Sequence, residues 1–346
     1  MRLYDNEGWL DIGHIEEVAN KNAISFIVII GKRQVGKTYG VLKHMLDCDR
    51  RFVLLRGMKT ELEMLERNVN SPFEKIHGYE GLITFIKDSE YSANIKRLQD
   101  DDTYITIGMG GALSSIGRIR GFNGDIYSDV IYDEFIPESH LLKVRRAGDA
   151  FTNMYITING NRELEGRPPL RVWLLANSNN LDNEILDTLQ ITDIIERMSL
   201  RGIESIILKD RGIMILLPDS TKITEKRKQT ALFRAINKDS KVARMAFNNE
   251  FAYNDYSDVA SKPLIQYKPL FSFGECVLHL HKNDKTIYIT SGYGVRCKET
   301  YTDSDYDKMI LKRKFPELKI AYLDGRIVFQ NMTVKNKFLN YFEFDN

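Results

Sequence analysis

The sequence predicts an α/β chain in three parts: a domain on a parallel sheet covered on both faces, a short basic helical linker, and a small α+β domain. Three observations predict it. Six short apolar runs of strand length alternate with helical patterns over the first 220 residues. A basic segment without strand-like runs follows. The last hundred residues then read as hairpins around one helix.

The elements follow in order. Ile24–Ile30 is a β-branched run of strand length, followed by a turn and a helix pattern carried by Val41, Leu42, Met45 and Leu46. Further runs are Phe52–Leu55, Tyr104–Ile107, Asp129–Tyr132, Val172–Ala176 and Gly212–Leu217. From Thr224 to Asn249 the spacing of Leu232, Ala235, Ile236, Val242, Met245 and Ala246 is helical. Beyond it, Glu275–Leu280 and Thr286–Thr290 flank Lys282–Asp284 as a hairpin, and Ile320–Leu323 and Ile327–Gln330 flank Asp324-Gly325 as another. Between the hairpins, Thr302-Asp303-Ser304-Asp305 reads as a cap before a helix running to Lys314. The expected boundaries are 1–221, 222–249 and 250–346.

Composition narrows the function classes. The 346 residues are 43% hydrophobic and 28% charged, the balance of a folded globular protein. The longest apolar stretch, 23–30, is less than half of what a bilayer needs, and the first ten residues carry no signal-peptide pattern. No membrane or secreted location is expected. Three scattered cysteines (Cys48, Cys276, Cys297) form neither a disulfide framework nor a C-x-x-C site, which suits a reducing compartment. Net charge is +1, so the chain does not coat nucleic acid by bulk charge. Residues 222–249, however, hold eight Lys and Arg against Glu225 and Asp239.

The sharpest motif is Gly31-Lys32-Arg33-Gln34-Val35-Gly36-Lys37-Thr38, a full G-x-x-x-x-G-K-[ST] placed directly after a buried strand and opening a helix. The glycines let backbone amides turn inward around phosphates, and the helix N-terminus favours anions. Lys37 then reaches the β- and γ-phosphates, and Thr38 offers a hydroxyl to Mg²⁺. ATP and Mg²⁺ are the expected cofactors.

A metal site needs a second contributor. Asp129-Val130-Ile131-Tyr132-Asp133-Glu134 ends a buried run on two adjacent carboxylates. At a strand end the chain turns, so both face the crevice: Asp133 toward Mg²⁺, Glu134 as the group that polarises the attacking water. A kinase needs no such glutamate, whereas a hydrolytic motor does. Val172–Ser178 is a buried strand ending in Asn177, the place where additional-strand ATPases read the γ-phosphate, although Asn177-Ser178-Asn179-Asn180 also suits an ordinary turn. Charge developing on the γ-phosphate calls for arginine. Arg162 is a candidate finger for a neighbouring subunit, Arg145 and Arg146 compete with it, and Arg33 and Arg56 lie near the loop and the second strand end.

These residues resemble a known family, the DNA encapsidation ATPases of small podoviruses, packaging motors related to large terminases. Four stretches carry the resemblance: Ile29–Tyr39, Phe52–Leu62, Asp129–Ile136, and Asn161-Arg162-Glu163 through Leu175-Ala176-Asn177-Ser178. It covers about residues 24–180, and more loosely the layout beyond. The resemblance implies a homopentameric ring on the portal of a procapsid, in the host cytoplasm, driving double-stranded DNA inward by ATP hydrolysis. It further implies that Lys59 lies near DNA-gripping loops, that Arg162 acts in trans, and that Glu134 is gated by Asn177. Some members work with a structural packaging RNA. Where the family often carries a second arginine, this chain has Gly160.

A translocase holds DNA by its phosphates without reading bases. Candidate contacts are Lys59, Arg118 and Arg120, the basic linker, and Lys312-Arg313-Lys314. In the small domain, Asp303, Asp305 and Asp307 suit a helix cap, and His279 and His281 lack a third ligand, so no active nuclease is expected. The rival readings are another P-loop translocase or helicase-like ATPase, and an assembly factor that binds nucleotide without hydrolysing it.

Overall fold

The computed structural model describes residues 1–32, 35–66, 71–116, 124–137, 143–178, 181–231, 235, 257–284, 286–292 and 295–342. The chain divides into two compact units, Met1–Leu189 with Ile195–Tyr253, and Gln190–Ile194 with Asn254–Asn346.

The larger unit is built on nine strands: β1 (Phe26–Gly31), β2 (Phe52–Arg56), β3 (Ile83–Lys87), β4 (Ser92–Leu98), β5 (Tyr104–Ala112), β6 (Asp129–Asp133), β7 (Arg171–Asn177), β8 (Ser205–Leu208) and β9 (Ile213–Leu216). Their order is β3-β4-β5-β2-β6-β7-β1-β9-β8. The six strands expected from continuous apolar runs form the parallel centre, with β5, β2, β6, β7, β1 and β9 side by side. Ile27 to Ile30, Phe52 to Leu55 and Val172 to Leu175 are buried throughout, as strands covered on both faces must be. Strand β7 lies between β1 and β6, the additional-strand arrangement expected from the sequence.

The sheet is not wholly parallel. A β3–β4 hairpin adds antiparallel to β5, and β8 adds antiparallel to β9. β3 mixes buried and exposed positions, β4 mixes buried and half-buried ones, and β8 is half-buried throughout and only four residues long, so none carries the long buried apolar run of the central strands.

The smaller unit has a five-stranded sheet, β13-β10-β11-β12-β14, from β10 (Tyr267–Phe273), β11 (Cys276–His281), β12 (Ile287–Ser291), β13 (Thr300–Tyr301) and β14 (Ile327–Phe329). Helices Asp305–Lys314, Glu317–Leu323 and Met332–Phe342 complete it. Its core is aromatic: Phe273 lies 6.1, 5.1 and 5.5 Å from the rings of Phe338, Tyr341 and Phe342. The first expected hairpin is present as β11–β12. Ser304 caps its helix by accepting from the Asp307 amide at 3.2 Å.

The second expected hairpin is not formed. Residues 317–323 are helical, and β14 pairs parallel with β12 instead. Leu318 and Ala321 are buried at helical spacing, and Gly325, at φ 67°, turns the chain while the Arg326 amide bonds back to Ala321. An Asp-Gly pair serves a helix C-terminus as readily as a hairpin, because both need a positive φ.

Candidate nucleotide site

The phosphate loop leaves the carboxyl end of β1 and enters the helix Lys37–Asp47 through Gly36, which adopts φ 83°. Lys32 turns inward, only 3% exposed, and its ammonium binds the Asp219 carboxylate and, at 3.1 Å, the Thr224 hydroxyl. Arg33 and Gln34 lie outside the described residues. The Lys37 ammonium is buried and donates to Gly31 O at 3.0 Å, Lys32 O at 2.7 Å and Asn177 Oδ1 at 3.1 Å. These neutral oxygens hold the cation at the mouth of its own loop. Sheet register explains the third contact, since Gly31 stands beside Asn177 on the neighbouring β7.

The carboxylates arrive from β6. Asp133 ends that strand, and Glu134 follows at φ 56°, a left-handed conformation that costs a non-glycine residue roughly 1–2 kcal/mol. The turn breaks the strand's alternation and leaves both carboxylates on one crevice. Asp133 Oδ1 accepts from the Thr38 hydroxyl at 2.9 Å and the Glu134 amide at 3.1 Å. Arg56 bridges the pair, with Nη2 3.0 Å from Asp133 Oδ2 and Nη1 2.8 Å from Glu134 Oε2. Lys37, Thr38, Asp133, Glu134 and Asn177 together line a cavity of about 320 Å³. The hydroxyl and carboxylate oxygens of Thr38 and Asp133 are a donor set that fits Mg²⁺, a hard cation.

The structure therefore brings five of the expected residues to one place. Arg162 goes elsewhere. It is 7% exposed, and one guanidinium nitrogen donates to Gly124 O at 3.1 Å, Asp125 O at 2.9 Å and Tyr127 O. Expected as a finger for a neighbouring subunit, it instead ties down the loop that leads into β6. Burial and the neighbouring Arg167 charge push its pKa down. Arg145 and Arg146 are both exposed. Lys59, expected near DNA, donates to Glu90 at 2.8 Å and lies 5.3 Å from the Tyr91 ring centre. Arg118 and Arg120 lie outside the described residues, as does most of the basic segment beyond the helix Thr221–Lys228.

Two contributors were not assigned from the sequence. The sequence places Arg56 at the second strand end among the arginines considered for the γ-phosphate, without pairing it to the two carboxylates. Its place follows from pairing: Leu55 stands opposite Tyr132, so Arg56 and Asp133 emerge side by side. The Lys32–Asp219 pair needs β9 beside β1, which no local pattern states.

With this geometry in view, solved structures of similar fold become informative. A chain of the bacteriophage phi29 viral genome packaging motor assembly matches 100% of this chain and 100% of its own length, at 17% identity and TM-score 0.62. The phi-28 gp11 DNA packaging motor matches 98% of this chain and 99% of that one, at 16% identity and TM-score 0.60. The chain shares the fold of these packaging-motor proteins. No protein-family model matches it, and no curated protein matches it.

The small unit of this packaging-motor fold holds its polar residues locally. Asp307 accepts from the Thr302 amide and hydroxyl at 2.7 and 2.6 Å, His279 bonds Thr290 at 2.9 Å, and His281 pairs with Asp284 at 2.9 Å. Among the described residues no group of three or more His, Cys, Asp or Glu is placed to hold a metal. No described helix is long and apolar enough to cross a membrane.

Proposed function

We propose that this chain is the ATPase of a viral DNA packaging motor, hydrolysing ATP to drive double-stranded DNA into a procapsid. The observation that carries the reading is the meeting of Lys37, Thr38, Asp133 and Glu134 in one cavity at the carboxyl ends of β1 and β6. The full-length likeness to packaging-motor folds supports the motor over other P-loop enzymes.

In this reading Lys37 binds the β- and γ-phosphate oxygens, exchanging a carbonyl or amide partner for a charged one. Thr38 and Asp133 hold Mg²⁺, which when bound stabilises the negative charge that phosphoryl transfer develops. Glu134 orients a water in line with the γ-phosphate and takes up its proton. Arg56 fixes the spacing of the two carboxylates. With Arg162 bonded to its own loop, Arg145 and Arg146, both exposed, are the competing sequence candidates for reaching a neighbouring subunit. The motor works as a homopentameric ring on the procapsid portal in the host cytoplasm, with or without a packaging RNA. The basic segment 222–249 links the ATPase unit to a small domain without nuclease activity. Five near-neutral subunits multiply modest basic contributions, with Lys59, Arg118 and Arg120 as the sequence candidates, into a channel that grips DNA phosphates.

The test is ATP turnover with and without double-stranded DNA across salt concentrations, for the native chain and Glu134→Gln. Expected are DNA stimulation that disappears as salt rises, and a variant that binds ATP normally but hydrolyses it about 10²–10³-fold more slowly. A native chain that binds ATP and never turns it over, with DNA or without, defeats the motor reading.

A further inference from the structure

Beside the phosphate cavity lies a larger one of about 780 Å³, lined by Trp9, Leu10, Ile12, Tyr39, Gly40 and Lys43 among others. We propose that it is the base subsite of the nucleotide, where a purine stacks on the indole of Trp9 beside Tyr39. The inference rests on the nucleotide reading above and adds which residues hold the other end of the ligand.

Three observations converge on it. First, Gly36 and Tyr39 line both cavities, so the two adjoin at the first turn of the helix Lys37–Asp47. A ligand anchored through its phosphates at Lys37 and Thr38 has its far end here. Second, the cavity presents two large rings to solvent, Trp9 at 39% and Tyr39 at 40% exposure. An amphipathic ring held half open is the surface on which a planar base stacks. Third, Trp9 is held in place before any ligand arrives. Its amide donates to Asp5 Oδ1 at 2.9 Å, its carbonyl accepts from the Asp5 amide at 2.8 Å, and the next residue, Leu10, bridges to Tyr4. The indole edge rests on the phosphate loop itself, since a Cβ at Gly36 would come within 3.2 Å of it. Only glycine leaves room there for both the loop's turn and the ring.

The polar groups around the cavity are engaged with one another. Lys43 bonds Asp47 at 2.7 Å, His44 bonds Glu16 at 2.7 Å, and Asp11 bonds Arg2 at 2.6 Å. The base is therefore held by its face more than by its edge, and stacking of this kind tolerates different bases. ATP and GTP should bind within about tenfold of each other, because hydrogen-bond readout is what creates larger ratios.

The experiment compares Mg²⁺-ATP, Mg²⁺-GTP and Mg²⁺-tripolyphosphate binding by calorimetry, using the full chain and its Trp9→Ala and Trp9→Phe variants. Trp9→Ala should weaken ATP by about five- to a hundredfold, the range of one lost base stack, and leave tripolyphosphate unchanged. Trp9→Phe should recover most of the loss. ATP, but not tripolyphosphate, should also quench the fluorescence of Trp9. Unchanged ATP affinity in Trp9→Ala overturns the inference and leaves the nucleotide site standing. So does an equal loss for ATP and tripolyphosphate, which would make Trp9 a support of the loop. An ATP preference over GTP beyond about a hundredfold overturns reading by the face. A native chain that binds none of the three ligands overturns the nucleotide reading, and this one with it.

Discussion

Glu16 offers a quantitative test of how the larger unit is held together. Its carboxylate is 6% exposed and accepts from His44 at 2.7 Å, Arg50 at 2.5 Å and Arg171 at 2.6 Å. Arg50 also reaches Asp129 at 3.2 Å, which in turn accepts from the buried Trp173 indole at 3.0 Å. Burial alone would raise the Glu16 pKa. The His44 hydrogen bond and the Arg50 and Arg171 charges outweigh it and bring the value from 4.5 down to about 2. A depressed carboxylate stabilises the fold above its unfolded pKa and loses that contribution as pH falls toward the folded one. The full shift converts to about 3 kcal/mol, and solvent screening reduces this to about 2 kcal/mol. Glu16→Gln leaves two guanidinium groups undercompensated, so at pH 7 it should cost about 2–4 kcal/mol, Asp129 retaining part of Arg50. The assay is urea unfolding at pH 7, 5 and 3, followed by Trp173 fluorescence in a Trp9→Phe background, so that the signal comes from one indole at the centre of the larger sheet. The native chain should lose stability steeply below pH 4.5, and the variant should lose less, so the gap narrows. A gap absent at pH 7, or widening toward pH 3, refutes the assignment of that stability to Glu16.

Two further substitutions separate structural from chemical roles. Arg162→Ala should lower the unfolding free energy of the isolated chain by about 1–3 kcal/mol, since it removes the donor that ties the carbonyls of Gly124, Asp125 and Tyr127 together, although Gly124 O keeps the Tyr127 amide. Denaturant titration measures this, and normal stability with turnover lost only in assembled rings would restore the finger role. Arg56→Lys should keep one of its two carboxylate contacts and lower kcat about tenfold or more with KM for ATP little changed, because a point ammonium cannot replace a fork. An unchanged kcat would show that the bridge is incidental to turnover.

What the sequence shows plainly is what short-range physics determines. Buried strands such as Phe26–Gly31 need continuous apolar runs, and a phosphate loop needs glycine at fixed spacing, so the central sheet and Lys37 are legible without coordinates. The β3–β4 hairpin is not, because an edge pair such as Thr84–Lys96 faces partly outward and carries polar residues. Asp324-Gly325 reads as a hairpin turn although it ends a helix, because the two turns make the same demand on φ. Arg56 and Arg162 show the deeper difficulty. Each is one arginine near a strand or helix end, and its role depends on a neighbour 77 or more residues distant in one case and a loop 35 to 38 residues back in the other. Nothing in the local pattern records which side chain the sheet order will place opposite.

The same sheet order places the side chains that the proposed function would use to sense its ligand. Asn177 meets Lys37 only because β7 runs beside β1, and Asp133 meets Thr38 because β6 runs beside β7. The contact from Lys37 to Asn177 is a bond from a cation to a neutral amide oxygen at 3.1 Å. A phosphate oxygen, which carries negative charge, is a stronger acceptor for the same ammonium than a neutral amide oxygen. Where a γ-phosphate takes that donor, the Asn177 side chain is released from the loop at the moment the site fills. Strand β7 carries Asn177 at the same edge where β6 ends in Asp133 and Glu134, so the released amide sits on the strand adjoining the carboxylates that act next. On the proposed reading, filling the loop frees one side chain beside the strand that carries the carboxylates, a role open to an asparagine and closed to an apolar residue at the end of β7.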